Sequence, residues 1–109
     1  MEERDFHNFV DGLFVEIEDR LDELELDVDI DSSGGVLTVV MEDGSQIIFS
    51  RQGASREIWV AARSGGFHLR QEADDEDAAW RCGTTGESLA ELVNRVFTEQ
   101  SGEPVQVLA

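Results

Sequence analysis

An unusually dense run of carboxylates occupies residues 16–31, EIEDRLDELELDVDID. Nine of these sixteen residues are aspartate or glutamate, and Arg20 is the one cation among them. Oxygen ligands suit hard or borderline cations such as Fe(II), Fe(III), Mn(II), Mg(II) and Ca(II). Because the sequence implies no deep pocket around them, these carboxylates predict an open surface that binds several cations weakly and with little selectivity.

The first half of the run belongs to a predicted helix. Apolar residues recur at steps of three and four and define one buried stripe, made of Phe6, Phe9, Val10, Leu13, Phe14, Ile17, Leu21 and Leu24. Successive residues of a helix are rotated by about 100° around its axis. This rotation places Asp11, Glu18, Asp19 and Asp22 close together on the opposite face, which is therefore acidic. Like charges four residues apart, as in Glu18 with Asp22, cost a helix roughly 0.2–0.5 kcal/mol. Stability alone therefore does not account for this face.

In the second half of the run, acidic and apolar residues alternate with a period of two. Asp27, Asp29 and Asp31 alternate with Val28 and Ile30, which predicts a strand with its aspartates on an outer face and its apolar residues inward. Helix and strand would then form one continuous acidic ridge, defined as Glu18, Asp19, Asp22, Glu23, Asp27, Asp29 and Asp31. The alternative is a solvated face on an acidic protein, since charge runs often serve solvation.

Other metal or catalytic motifs are absent from the sequence. A calcium-binding helix-loop-helix would need glycine at Ser32 and glutamate at Thr38. No nucleophile triad, phosphate-binding glycine loop or zinc spacing is present, so we predict a protein without enzymatic activity. His7, four residues before Asp11, could add an imidazole to the ridge or be a free surface histidine. Cys82 is expected to be a buried small hydrophobe.

Composition limits the class of protein. The 109 residues predict one domain, 1–109, and the net charge is −17, of which −11 falls in the first 31 residues. Such a field repels nucleic acid and anionic membranes and attracts cations and basic protein surfaces. No lysine is present, which could reflect base composition or adaptation to salt. Without a signal peptide or apolar span, and with a single cysteine, we expect a cytoplasmic protein.

The order of elements predicts an α+β fold. After the first helix, short strands separated by turn residues predict an antiparallel meander of about six strands, ending near residues 80–82. Residues 71–79 are expected to form a mobile loop. Residues 85–88 should open a last helix that ends at Ser101 and Gly102. We therefore expect a two-layer α-β-α sandwich with both terminal helices on one face of the sheet.

A second candidate surface lies on the other face of that sheet. In EIWVAAR, residues 57–63, alternation places Ile58 and Val60 on one side and Trp59 and Arg63 on the other. If Ile58 and Val60 lie in the hydrophobic core, Trp59 is exposed. Tryptophan and arginine dominate binding hot spots, so Trp59, Arg51, Gln52 and Arg63 are candidate partner-binding residues. Alternatively, Trp59 packs inward.

Several segments together resemble the bacterial frataxin family, the CyaY proteins, over essentially the whole chain. The segments that carry the resemblance are FHN, EIEDRLDE, DVDID, GGVLTV, DGSQIIFSRQ, EIWVAARSGGFHL, the W-x-C of Trp80 and Cys82, and GESLAELV. The resemblance implies the frataxin α-β-α sandwich. It also implies iron binding by the ridge and by His7.

The family resemblance further implies partners. These are the cysteine desulfurase of iron–sulfur cluster assembly, which would meet the ridge, and its scaffold protein, which would meet the sheet face of Trp59. The expected protein is a non-enzymatic, iron-binding regulator, monomeric or forming an iron-dependent oligomer. The alternatives are iron oxidation and storage, for which no Glu-x-x-His pair is present, and a salt-adapted acidic protein-binding module.

Overall fold

A computed structural model of the chain describes residues 2–73 and 79–109. The elements follow the order helix, six strands, helix, with α1 Glu3–Glu23, β1 Asp29–Ser33, β2 Val36–Val40, β3 Gln46–Gln52, β4 Glu57–Ala62, β5 Gly65–Gln71, β6 Trp80–Cys82 and α2 Leu89–Ser101. All strands pair antiparallel with their sequence neighbours, so the sheet order is β1-β2-β3-β4-β5-β6. This is the predicted α+β sandwich.

The core lies between the two helices and one face of the sheet. The apolar stripe of α1 is buried as predicted, with Phe9 and Leu24 partly exposed at its margin. On the sheet, Leu37, Phe49, Ile58 and Leu69 are fully buried. The buried residues recur with period 3.6 on the helices and period 2 on the strands. These periods therefore determine which face of each helix packs against which face of the sheet.

Both ends of α2 follow their sequence signals. Ser88 and Glu91 form a reciprocal capping box, in which each side chain accepts from the other residue's backbone N–H. Gly102 ends the helix in the left-handed conformation, at φ 79°. The tail then turns back, and Asn94 Oδ1 accepts from the N–H groups of Val107 and Leu108 at 2.7 and 2.9 Å. The tail therefore lies against the helices.

The sheet register assigns the outer face. Asp31 pairs with Thr38, Thr38 with Ile48, and Ile48 with Ala61. Directly opposed residues share a face, and the flanking Leu37 is in the core. The aspartates of β1 therefore point to the outer face of the sheet, as predicted.

Two sequence predictions are corrected here. The first strand begins at Asp29, so Asp27 precedes it. Ile30 does face the helix side but is 39% exposed, because β1 is an edge strand and no residue of it is buried. Arg51 and Gln52 are the last two residues of β3. Most of the loop predicted over residues 71–79 lies outside the described residues, and Gln71 belongs to β5.

Candidate functional site

The carboxylates of the acidic ridge are largely unpaired, and all except the half-buried Glu18 are exposed. On α1 the buried stripe turns Glu18, Asp19 and Asp22 to solvent. Within the described part of the chain, five ridge carboxylates make no hydrogen bond or ion pair: Glu18, Asp19, Asp22, Asp27 and Asp29. Of the other two, Glu23 pairs with Arg20 at 3.1 Å, and Asp31 accepts from Ser33 Oγ at 3.3 Å.

These carboxylates do not converge on one point. Glu18 borders a cavity with the β1–β2 turn, Asp19 borders another with the C-terminal tail, and Asp27 borders a third beside Glu42 and Glu99. Among the described residues, no three His, Cys, Asp or Glu side chains form a group that could hold a metal ion. The continuous ridge predicted from the sequence is thus divided between the helix layer and the outer face of the sheet. Such a donor set fits weak, dispersed cation binding.

Both ring nitrogens of His7 lie close to charged side chains. Its Nδ1 lies 3.3 Å from an Arg51 nitrogen, and its Nε2 lies 3.6 Å from a Glu3 carboxylate oxygen. Arg51 also donates to Asp11 at 2.7 Å and stands over the Phe14 ring at 5.2 Å. The cation therefore separates His7 from Asp11. Because Arg51 occupies Nδ1, His7 could offer a metal only Nε2.

Trp59 lies on the outer face of the sheet and is 37% exposed, while Ile58 and Val60 are buried, as predicted. His68, its cross-strand partner, stacks on it with ring centroids 4.2 Å apart and planes 8° apart. The Trp59 indole N–H donates to Glu57 at 3.1 Å, and Arg70 donates to the same carboxylate at 2.7 Å. The ring is thus held from its face and from its edge.

These contacts change the ionisation of Glu57. The indole N–H of Trp59 and then the Arg70 guanidinium stabilise the carboxylate and lower its pKa below the usual range. Sequence reasoning missed His68, Glu57 and Arg70. Alternation along β4 and β5 indicates which side chains share the outer face. It does not identify which of them are neighbours until the register of the two strands is known.

Two predicted neighbours of Trp59 lie elsewhere. Arg51 pairs in register with buried Ile58, so its side chain points to the helix side. Arg63 lies in the β4–β5 turn, where alternation ends, and donates to Asp43 at 3.0 Å and to the Glu99 carbonyl at 3.2 Å. The prediction that both arginines flank Trp59 is wrong. Gln52 pairs with Glu57 and does lie on the outer face.

Cys82 is buried, at 2% exposure, on the core side of β6. Burial raises the pKa of its thiol, but hydrogen bonds from the hydroxyl and backbone groups of Thr84 and Thr85 outweigh burial and bring the pKa to about 7. The predicted burial of Cys82 is confirmed, but its thiol is hydrogen-bonded and does not behave simply as a small hydrophobe. No helix among residues 2–73 and 79–109 is apolar enough over its length to cross a bilayer.

Comparison with known proteins gives a consistent result. The frataxin-like domain family matches residues 1–103. The chain is 48% identical over 106 residues to the iron-sulfur cluster assembly protein CyaY of Stutzerimonas stutzeri, covering 97% of this chain and 94% of that protein. The protein of the same name from Pseudomonas aeruginosa is 47% identical over 106 residues, covering 97% and 96%.

A solved structure agrees with these sequence relatives. The frataxin of Psychromonas ingrahamii superposes with a TM-score of 0.83 at 26% identity, and the match covers 100% of both chains. The likeness therefore extends over the helices and the whole sheet.

Proposed function

Because this chain belongs to the frataxin-like family, we propose that it acts in iron–sulfur cluster assembly as an iron-binding regulator without enzymatic activity of its own. In this proposal the acidic ridge binds iron weakly and reversibly and docks on a basic surface of the cysteine desulfurase. The outer sheet face around Trp59 contacts the scaffold protein. The protein would act in the cytoplasm.

The observation that carries the proposal is the unpaired state of the ridge. Exposed carboxylates without cationic partners keep their full negative field, which steers a basic protein surface and accelerates association. Within the described chain, five of the seven ridge carboxylates have no partner, and four of these five are exposed. Stability does not explain it, since the like-charged pairs Glu18 with Asp22 and Asp19 with Glu23 are unfavourable in a helix.

Iron and the desulfurase would compete for the same charge. A bound cation neutralises carboxylates that would otherwise attract the basic partner, so the two binding free energies must be coupled. Linkage makes this coupling reciprocal, and each ligand changes the affinity of the other by the same factor. Such coupling is a physical route by which iron supply could regulate cluster synthesis.

The outer sheet face supports the scaffold contact. Trp59 is a large exposed aromatic side chain that His68 and Glu57 hold in one orientation before any partner arrives. A rigid anchor loses little conformational entropy on binding, which favours affinity. Among the candidates from the sequence, Trp59 and Gln52 lie on this face, so Arg51 and Arg63 are not proposed as contacts.

Iron oxidation and storage is the second candidate. Such chemistry uses closely spaced metal ions held by several shared carboxylates, as in ferritin-like proteins. The described residues contain no group of three or more potential ligands, whereas exposed carboxylates could still gather iron between copies of the chain. We therefore rank this function below regulation.

An amide NMR titration with anaerobic Fe(II), followed separately by the desulfurase, tests the proposal. Selective broadening at Glu18, Asp19, Asp22 and Asp31 by iron, with a response of the same region to the desulfurase, is the expected result. Sharpening of the whole spectrum by salt, with no localised effect of iron, would instead identify the ridge as a solvation device of a salt-adapted protein.

Charge reversal provides the matched variants. The double variant Asp19→Lys/Asp22→Lys should weaken both iron and desulfurase binding at least tenfold. The control Glu2→Lys/Glu72→Lys changes net charge equally at two exposed carboxylates that border none of the cavities beside the ridge and should have a much smaller effect. Trp59→Ala should weaken scaffold binding alone. Equal losses in the two double variants would contradict a specific ridge.

A further inference from the structure

The two edge strands of the sheet, β1 and β6, are protected to different degrees. β6 has three residues, of which Trp80 and Cys82 are buried. The segment before α2 lies along it, where the Glu87 carbonyl accepts from the Cys82 N–H at 2.8 Å. Ser88 also forms a bridge with Arg81. Proteins usually shield an edge strand in this way, because an open edge offers unpaired backbone groups to other chains.

β1 has no such cover within the described part of the chain. It pairs with β2 alone, and all five of its residues, Asp29–Ser33, are exposed. Alternate residues of an antiparallel strand direct their backbone N–H and C=O groups away from the neighbour with which they pair. Among the described residues, none outside β2 makes a backbone hydrogen bond with this strand. β1 therefore offers backbone donors and acceptors to a further strand.

Apolar surface lies beside this open edge, on the side of β1 that faces the helices. Val15 and Ile30 are 54% and 39% exposed, and they are two of the three exposed large hydrophobic residues in the described chain. Ile30 faces the helix side, because it pairs with buried Val39. Ser32 faces the same side and borders a cavity of about 570 Å³ together with Val15 of α1. A strand added to β1 would direct every second side chain to this apolar side.

The outer side of β1 carries the charge that selects a partner. Asp29 and Asp31 alternate with Ile30 and are exposed. Side chains directly opposite one another on two strands share a face and interact, so lysine or arginine opposite these aspartates is favoured. A second copy of β1 is disfavoured, because antiparallel pairing over its full length would place Asp31 opposite the same aspartate of the other copy.

We propose that β1 accepts an extended basic segment of a partner protein as an additional strand of the sheet. Lysine or arginine would lie opposite Asp29 and Asp31, and an apolar side chain would lie opposite Ile30. Backbone hydrogen bonds then supply affinity, and the alternation of side chains supplies specificity. The proposal rests on the proposed function, in which the ridge docks on a basic partner, and it specifies that the docking segment is an extended strand.

Synthetic peptides separate strand addition from simple charge attraction. The probe is acetyl-Gly-Lys-Val-Lys-Val-Lys-Gly-amide, which has the alternation that the proposal requires. A second peptide has the same composition but groups its residues as Gly-Val-Val-Lys-Lys-Lys-Gly. A third peptide keeps the alternating sequence and carries N-methyl groups on the backbone nitrogens of its lysines and valines. This methylation removes backbone donors without changing the charge.

Amide NMR and hydrogen exchange of the ¹⁵N-labelled protein, at constant ionic strength, measure the binding of each peptide. The alternating peptide should give saturable shifts in β1 and β2. It should also slow the exchange of the outward N–H groups of β1, because these groups gain hydrogen-bond partners. The grouped and methylated peptides should bind about tenfold more weakly, because neither can form the complete strand pairing.

Two ridge substitutions with the same change of charge provide matched variants. Asp31→Lys should weaken binding of the alternating peptide about tenfold, because it replaces a cross-strand attraction by a repulsion. Asp22→Lys makes the same change in the helical part of the ridge and should weaken binding less than about threefold. Asp31→Thr, which removes the charge and retains strand propensity, repeats the test if the lysine variant is unstable.

Equal affinity of the three peptides, without slower exchange in β1, would overturn strand addition and leave charge-driven docking of the ridge intact. Failure of the alternating peptide to bind saturably would overturn it as well. Equal weakening by Asp31→Lys and Asp22→Lys would mean that the peptide responds only to overall charge, which contradicts a defined strand. The proposed function fails on a different observation, the lack of a localised response of the ridge to iron and to the desulfurase.

Discussion

The carboxylates of residues 16–31 and those of residues 57–99 are treated in opposite ways by the fold. In the first region, two of the nine have a hydrogen-bonding partner among the described residues, Glu23 and Asp31. In the second, all five that the structure describes have one: Glu57, Glu72, Glu87, Glu91 and Glu99. The same side-chain chemistry is used for structure in one region and left available in the other.

The difference is a matter of arrangement. Arg20 lies on α1 and Arg51 pairs with Asp11 of that helix, but neither contacts the unpaired ridge carboxylates. Arg70, Arg81 and Arg95 pair instead with Glu57, Glu72 and Glu87, which belong to the sheet and to the segments beside it. Salt adaptation would account only for the number of carboxylates in the chain. It would not account for the many unpaired carboxylates among residues 16–31, and the contrast can be tested by disturbing each region in turn.

Arg51 offers the largest expected effect, because it joins the ridge helix to the sheet. Its side chain is 16% exposed and contacts Asp11, His7, the Gly35 carbonyl and the Phe14 ring. Arg51→Ala should lower the free energy of unfolding by roughly 2–3 kcal/mol in urea denaturation. Arg63→Ala, which breaks a pair exposed on both sides, should lose at most about 1 kcal/mol. Comparable losses of unfolding free energy in the two variants would show that the Arg51 contacts contribute no more than an exposed ion pair.

Arg95 tests the paired region alone. It donates two hydrogen bonds to Glu87, at 2.8 and 2.9 Å, and lies over the Phe67 ring at 5.2 Å. The pair is partly exposed, so solvent screening reduces its value, and Arg95→Met should cost about 1–2 kcal/mol in the same assay. A loss below roughly 0.5 kcal/mol would show that this pairing is as weak as an ordinary surface ion pair.

The pH dependence of stability should reveal the same pairing. Hydrogen bonds from Arg95 lower the pKa of Glu87 below its usual range. A depressed folded-state pKa stabilises the native state above the unfolded pKa, about 4.3, and this stabilisation is lost as pH falls through the lower folded value. Glu87→Gln should therefore flatten the decline in unfolding free energy below about pH 4.3.

A substitution on the ridge should have the smallest effect on stability and the opposite sign. Asp22→Lys replaces an unfavourable pair with Glu18 by a favourable one in the better orientation, so stability should rise by roughly 0.5 kcal/mol. Chemical denaturation at low and high salt measures it, and the gain should shrink as salt screens the charges. A loss of stability would show that Asp22 has a structural role, and the contrast between the regions would then fail.

The sequence predicted the architecture because its signals are local. Hydrophobic period identified both helices and the six strands, the Ser88 and Gly102 signals bounded α2, and alternation around Trp59 placed that ring on the outer face. These features depend on neighbours within a few residues along the chain. The same holds for the exposed carboxylates of α1.

Only the tertiary structure decided how distant residues meet. Arg51 reaches Asp11 across 40 positions, His68 stacks on Trp59 through strand register, and Ile30 is exposed because β1 is an edge strand. Arg63 left the face that alternation assigned to it because the strand ends one residue earlier. Period gives the direction of a side chain relative to its own strand or helix. Register, strand order and the cover provided by other elements determine what it contacts, and those are properties of the assembled fold.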